Sequence, residues 1–371
     1  MIPLVDVKAQ NTAIADELQT AIAEVFTSCW FSGGPVVERF EAHFAAAHDV
    51  AHAVGVNSGT AALHATMMAL GIGSGDEVIV PSHTFFATVE AVLLVGATPV
   101  FADSDAARYT LDPAQIAALA TPRTRAVIPV HLYGQAADMP AICAAADRLG
   151  IAVVEDCSQA HLATCGGQKV GSFGVAGCFS FYPGKNLGAC GEGGAVITRD
   201  AALAEDLRCI RNHGMKKRYH HDMIGHNFRM DAIQAAVLDV KLRYLPEWTR
   251  QRQRVAAWYD SAIAAIPGCT TPLNVEGDGH VYHLYVIRHA QRDDLQQYLF
   301  HDSKIDTGIH YPIPCHLAPA LAGRAGCVPG SLPRCEAFCD EILSLPMHPE
   351  LTDDQLQRIA AEIAVFQART S

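Results

Sequence analysis

The chain has 371 residues, half of them apolar and 18% charged, enough to bury a large core and to suggest two domains or one large domain with an appendage. Its formal charge of −12 argues against a general nucleic-acid or membrane-surface binder, and no apolar run reaches transmembrane length. The 12 cysteines include no CxxC pair (the closest is Cys335-x-x-x-Cys339) and the 18 histidines no HExxH, so a disulfide scaffold and metal catalysis are both disfavoured and no metal ligand is assigned.

The N-terminal run Met1-Ile2-Pro3-Leu4-Val5-Asp6 lacks the basic start and small-residue cleavage site of a signal peptide, so a cytoplasmic location is expected. From residue 51 strand-like and helix-like segments alternate. Residues 51–56 read as a strand, followed by the turn Asn57-Ser58-Gly59-Thr60 and an apolar helix through Leu70. Strands are expected at 77–80, 99–102, 125–130 and 151–154, with helices at 85–94 and 141–149. This rhythm of near-continuous apolar strands and helices indicates a mainly parallel sheet covered on both faces. Residues 178–182 and 194–198 are strands separated by a glycine-rich turn too short for a crossover helix, so that part is expected to be antiparallel. A helical pattern from Met230 to about Ile266 is broken near Pro246 and stopped by Pro267. The remainder mixes a strand at 281–288 with a late helix for which Thr352 is the expected N-cap. The domain boundary is placed near residue 250.

Four places along this pattern carry chemistry. Asn57-Ser58-Gly59-Thr60 lies between a strand and a helix, where free first-turn amides favour an anion, so Gly59 and Thr60 can hold a phosphate. No Gly-Lys-Ser/Thr follows, which excludes a P-loop. Phe85, after the strand 77–80, is placed to lie over a planar ring. Asp156 ends the apolar run 151–154, at the carboxyl edge where open α/β sheets place ligand contacts, with Gln159 just beyond. Lys185 stands in the turn Pro183-Gly184-Lys185-Asn186, five residues after Ser180. A lysine in such a turn, preceded by a carboxylate at the end of another strand, suits pyridoxal 5′-phosphate. The amine forms the Schiff base, the carboxylate keeps the pyridine nitrogen protonated, Gln159 reaches the 3-oxygen and the Ser180 hydroxyl suits the phosphate. The glycines at 188, 191, 193 and 194 lead into a strand, whereas a dinucleotide fingerprint must open a helix.

With these residues in view, the chain resembles the DegT/DnrJ/EryC1/StrS sugar aminotransferases over nearly its whole length. The resemblance rests on Asn57–Thr60, Pro129–Gln135, Glu155-Asp156, the run 180–195, Gly225–Asp231 and Gly308–Pro314. It implies an α/β protein of pyridoxal-phosphate fold type I, aspartate-aminotransferase-like. A large domain, 1–250, would hold a mostly parallel sheet of seven-stranded type, and a smaller α+β domain would cover 251–371. By resemblance Lys185 is the Schiff-base lysine and proton shuttle, Asp156 pairs with the pyridine nitrogen, and Gly59, Thr60 and Ser180 hold the phosphate. Asn227 reaches the phosphate of the neighbouring subunit, which implies a homodimer with shared active sites. His310 and Tyr311 fall in the sugar-nucleotide contact segment, and Arg218 and His221 are assigned to the substrate.

The sequence around Lys185 resembles the branch that aminates C3 of 3-keto sugars, with C4 as the alternative. Arg218-Tyr219-His220-His221 resembles enzymes acting on UDP-linked 2-acetamido-3-keto sugars; dTDP-linked 3-keto-6-deoxyhexose enzymes share much of the rest. Glu192 stands where that branch often has Asp, and Cys190 where it often has an aromatic. L-Glutamate is the expected amino donor. Two other readings are a sugar dehydratase on the same fold, which would carry histidine in place of Lys185, and a non-catalytic ligand-sensing regulatory protein, which would tolerate loss of Lys185 or Asp156.

Overall fold

The computed structural model describes residues 1–370. Short apolar runs bounded by Gly, Ser, Asp and Asn become strands. They are β1 (His52–Val56), β2 (Glu77–Pro81), β3 (Thr98–Ala102), β4 (Thr124–Val127) and β5 (Ala152–Asp156). The small hairpin β6 (Thr164–Cys165) and β7 (Gln168–Lys169) follows, then β8 (Ala176–Ser180) and β9 (Gly194–Thr198). Seven of these form one sheet in the order β1-β9-β8-β5-β4-β2-β3. Only β9 runs against the others, pairing antiparallel with both β1 and β8. The expected antiparallel turn-back is therefore a single reversed strand inside a parallel sheet.

Alternation along the strands divides the core into two layers. Val54, Val78, Val80, Val154, Cys178 and Val196 pack on one face with the helices Gly59–Ala69, Ala87–Leu94 and Ala201–Ile210. Ala53, Ile79, Val153, Phe179 and Ile197 pack on the other with Pro35–Ala47, Met139–Leu149 and Ala232–Leu242.

After the exposed hairpin β10 (Met215–Lys217) and β11 (His220–His221), the helical stretch from Met230 divides into Ala232–Leu242 and Leu245–Ile263. Pro246 sits in the first turn of the second helix, where its missing N–H costs no hydrogen bond. A three-stranded antiparallel sheet follows, from β12 (Cys269–Thr270), β13 (Tyr285–His289) and β14 (Ile342–Leu345). The strand expected at 281–288 begins later because Val281 and Leu284 donate instead to Gly134 and Tyr133, at 3.0 and 3.2 Å. These strands pack with the helices Leu245–Ile263, Arg292–His301 and Asp353–Thr370 around a separate core. Thr352 caps the last helix as expected, in a reciprocal arrangement. Its hydroxyl accepts from the Gln355 amide at 3.3 Å, and Gln355 Oε1 accepts from the Thr352 amide at 3.0 Å. Among the described residues no helix is long and apolar enough to cross a membrane.

Candidate active site

Because six of the seven strands run the same way, the segments after β1, β2, β4, β5 and β8 emerge along one edge. There they enclose a cavity of about 590 Å³. Its wall holds Gly59, Thr60, Phe85, Asp156, Gln159, Ser180, Lys185, His310 and Tyr311 from the sequence-derived set. It does not include Asn227, Arg218 or His221. Arg218 and His221 lie on or beside the exposed β10–β11 hairpin, and Asn227 touches the site's margin through its carbonyl, which accepts from Asn57 Nδ2 at 3.3 Å. Glu192 also lines the cavity, whereas Cys190 does not.

At one end Ser58 caps the helix Gly59–Ala69, its hydroxyl accepting from the Ala61 amide at 3.0 Å. The amides of Gly59 and Thr60 have no acceptor among the described residues and face the cavity. The helix start lies flush against β8: a Cβ on Gly59 would stand 2.6 Å from Ser180 Cβ, so only glycine permits the approach. Ser180 thus presents its hydroxyl beside free amides. His161 secures it from below, its Nε2 meeting the Ser180 carbonyl at 2.9 Å.

At the other end Asp156 is buried. Its Oδ1 accepts from the Ser158 amide at 3.1 Å and its Oδ2 from the Thr88 hydroxyl at 2.8 Å. Gln159 is fixed in orientation. Its Oε1 accepts from the Tyr133 amide at 2.7 Å, which turns Nε2 towards the Tyr311 hydroxyl at 3.1 Å and into the cavity. Phe85 is largely exposed at the mouth, 5.6 Å from the Tyr311 ring centroid.

Lys185 lies between these ends. Burial lowers its ammonium pKa to about 8, with Asp156 pulling weakly the other way. The same burial, with the Lys185 charge adding to it, holds His310 down to about 4. The turn carrying Lys185 is anchored on both sides. Asn186 Nδ2 donates to the Val281 carbonyl at 2.9 Å, and the wholly buried Lys241 donates to the Gly188 carbonyl at 2.8 Å.

Sequence reading missed Thr88, Tyr133, His161, Lys241 and His283, which lines the cavity and meets Asn186 Oδ1 at 3.2 Å. Thr84, in the bend before the helix Ala87–Leu94, and Thr88, in its first turn, meet through their hydroxyls at 2.9 Å. His161 lies only two residues beyond Gln159, whereas Tyr133, His283 and Lys241 come from distant segments with no local mark. The donor set fits pyridoxal phosphate: free amides and hydroxyls at one end, a buried carboxylate at the other, and an amine of lowered basicity between them.

The model of the DegT/DnrJ/EryC1/StrS aminotransferase family matches residues 12–364. The chain belongs to this family. It is accordingly a pyridoxal-phosphate-dependent aminotransferase of the expected fold. It is 47% identical to the dTDP-3-amino-3,4,6-trideoxy-alpha-D-glucose transaminase of Streptomyces venezuelae, over 99% of this chain and 97% of that one. It is 46% identical to the UDP-N-acetyl-3-dehydro-alpha-D-glucosamine 3-aminotransferase of Acidithiobacillus ferrooxidans, over 98% of this chain and 97% of the relative. Among solved structures, S. venezuelae DesV in complex with a ketimine intermediate superposes with a TM-score of 0.96 and 46% identity, covering 100% of this chain and 99% of DesV.

Proposed function

We propose that this aminotransferase moves the amino group of L-glutamate to C3 of a nucleotide-linked 3-keto sugar, giving a 3-amino sugar nucleotide and 2-oxoglutarate. A UDP-linked 2-acetamido-3-keto-hexose stands ahead of a dTDP-linked 3-keto-6-deoxyhexose. The observation that carries this reading is Lys185: a half-buried lysine whose desolvated amine has its pKa lowered to about 8, sharing one cavity with the Asp156 carboxylate and the free amides of Gly59 and Thr60.

Pyridoxal phosphate, when bound, supplies the carbonyl that carries the amino group between substrates and the electron sink that acidifies the substrate C–H bond. Gly59, Thr60 and Ser180 would hold its phosphate. Asp156, fixed by hydrogen bonds from the Thr88 hydroxyl and the Ser158 amide, would pair with the ring nitrogen. Gln159, its Nε2 aimed into the cavity, would hydrogen-bond the cofactor's 3-oxygen, and Phe85 would help to hold the ring. Lys185 Nζ takes the proton from Cα of glutamate and, in the second half-reaction, delivers one to C3 of the sugar. His310 and Tyr311 contact the sugar nucleotide. Retention of both Lys185 and Asp156 disfavours the dehydratase and ligand-sensing readings.

Both relatives are named for sugars modified at position 3, which supports C3 over C4. Their near-equal identities do not separate UDP from dTDP, so the nucleotide preference rests on the resemblance of Arg218-Tyr219-His220-His221. We assign Asn227, Arg218 and His221 to the site of a second protomer in a cytoplasmic homodimer. The exposure of Tyr219 and Ile224 on the same segment, 75% and 83%, supports this. We further place the division between the large and small domains at residue 250, within the helix Leu245–Ile263. Its Trp248 packs with the first helices, and its Val255 and Tyr259 pack with the C-terminal core.

The test supplies the purified protein with pyridoxal phosphate and then L-glutamate, and follows the visible cofactor band. Loss of the yellow absorbance with release of 2-oxoglutarate is expected. The charged protein is then offered 3-keto and 4-keto sugars on UDP and dTDP. Recovery of absorbance fastest with the UDP 2-acetamido-3-keto sugar supports the full reading. Recovery only with 4-keto sugars overturns the C3 assignment, and a band that ignores glutamate overturns the donor.

A further inference from the structure

His83, Cys335 and Cys339 meet in the interior outside the cavity lining, with their donor atoms within 4.8 Å of one another. All three are buried, at 1%, 0% and 1% exposure. The cysteines stand four residues apart on the helix Pro333–Glu341 and share one face. Asp103 seats that helix, accepting from the amides of Arg334 at 3.1 Å and Cys335 at 2.7 Å. His83 arrives from the turn after β2, 256 residues away from Cys339 in sequence.

The proton on His83 can be placed from its partners. The single hydroxyl proton of Tyr133 goes to the His310 carbonyl, so the Tyr133 oxygen accepts from His83 Nε2 at 2.7 Å. Nε2 therefore carries the hydrogen. Nδ1 keeps a lone pair directed at Cys339 Sγ, 3.5 Å away. Metal-binding imidazoles are held in this way, with the far N–H tied to another group. A tetrahedral cation about 2.3 Å from a sulfur and about 2.0 Å from a nitrogen sets those two atoms about 3.5 Å apart. The other interior group of this kind, His131 with Glu155 and Cys157, has no such opening. There the Ala137 amide occupies His131 Nδ1, and Glu155 already accepts from Gly171, Phe173, Gly174 and His131.

We propose that His83, Cys335 and Cys339 bind one zinc-type divalent cation. Two sulfur–metal bonds and one nitrogen–metal bond form. Each thiol releases its proton to solvent, no electron is transferred, and the fourth tetrahedral position is left to a water. Two thiolates balance the charge of the ion and the neutral imidazole adds none, which suits surroundings that include the Tyr109 and Phe338 rings. Two sulfurs and one imidazole select a zinc-type ion over magnesium or calcium. The ion joins the helix Pro333–Glu341 to Tyr133, whose amide orients Gln159 and whose hydroxyl holds the His310 carbonyl, so the site braces one wall of the active cavity.

The test uses the full chain with its cofactor, in a Cys29→Ser, Cys190→Ser background that removes the exposed thiols. Protein purified from cells grown with cobalt(II) is expected to hold one cobalt per chain, with the visible d–d bands of a tetrahedral thiolate site, and zinc growth to give one zinc. Adding Cys335→Ser and Cys339→Ser should abolish both. Tyr133→Phe keeps every ligand but removes the partner of His83, and should weaken retention against a chelator by about 10- to 100-fold, which reads the site even if the double variant does not fold. Substoichiometric metal, bands that survive the double variant, or unchanged retention in Tyr133→Phe would each overturn the proposal in favour of thiols merely hydrogen-bonded to an imidazole.

Discussion

Thr88 donates its hydroxyl hydrogen to Asp156 Oδ2 at 2.8 Å, joining the helix Ala87–Leu94 to the end of β5. Because that proton is committed, the Thr88 oxygen accepts from Thr84 at 2.9 Å, and the two threonines form a one-way chain ending on the carboxylate. A hydrogen bond to a charged group is worth about 1.5–3 kcal/mol, and here it fixes the orientation of the carboxylate on which the proposed ring-nitrogen contact depends. Thr88→Val keeps the shape and removes the donor. Pyridoxal phosphate should bind about 10- to 100-fold more weakly by absorbance titration, and Thr88→Ser should restore most of the loss. An unchanged affinity in Thr88→Val would show that the chain is structural only.

Lys185 titrates at about 8 instead of its ordinary 10.5. At pH 7.5 roughly a quarter of such amines are neutral, against about one in a thousand for an unperturbed lysine. The rate at which apoprotein takes up pyridoxal phosphate should therefore rise with pH and level off just above 8. The stability of the apoprotein has the same sign. The folded-state pKa is below the unfolded value, so burying the ammonium is unfavourable below pH 8, and stability is regained as pH rises from about 8 to 10.5. Lys185→Ala should lower transamination by more than about 10³-fold and remove this segment of the pH–stability curve. Full turnover in that variant would overturn the assigned role.

The parts of this site that were legible in the sequence are those whose chemistry and position are marked by their own neighbours. Asn57–Thr60 reads as a strand-to-helix turn, Asp156 as a strand end and Lys185 as a turn residue, and the parallel sheet brings all three to one edge. Residues that act through folding back were not legible. Tyr133 reaches Gln159 because it sits in the left-handed region at φ 61°, which its sequence context does not announce. Lys241 reads as a solvated helical lysine but lies wholly buried under the Gly188 carbonyl. His83 and Cys339, 256 residues apart, gave no spacing to read, although a C-x-x-x-C pair on a helix does place two thiols on one face.

Gly59 and Ser180 come within contact distance at the phosphate end of the cavity. A methyl group on Gly59 would stand 2.6 Å from Ser180 Cβ and 3.1 Å from Ser180 Cα, so backbone must move. Overpacking of this kind costs typically about 1–3 kcal/mol. The helix Gly59–Ala69 would be pushed off β8, which separates the free amides from the Ser180 hydroxyl. Gly59→Ala should weaken pyridoxal phosphate by about 10-fold or more and lower Tm by a few degrees, both read by thermal shift with and without cofactor. A variant equal to wild type in both would mean the contact is relieved by local adjustment and the phosphate cradle is not rigid.

Acid should unfold the protein through buried histidines as much as through carboxylates. Burial lowers His48 to about 4, and His161 and His280 to about 3, each from an ordinary value of 6.5. His48 and His161 both pack against Phe179, and each leaves one ring nitrogen without a partner in the structure. In each case the folded-state pKa is depressed, so the unfolded chain binds the proton first. The stabilisation is present above pH 6.5 and is lost as pH falls from there to about 3–4. Each histidine then contributes about 1.4 kcal/mol per pH unit to the slope. Stability measured by urea titration between pH 6.5 and 4.5 should fall steeply, and His48→Phe should flatten the curve by about one histidine's share. A slope unaltered by that substitution would place the acid sensitivity on the carboxylates instead.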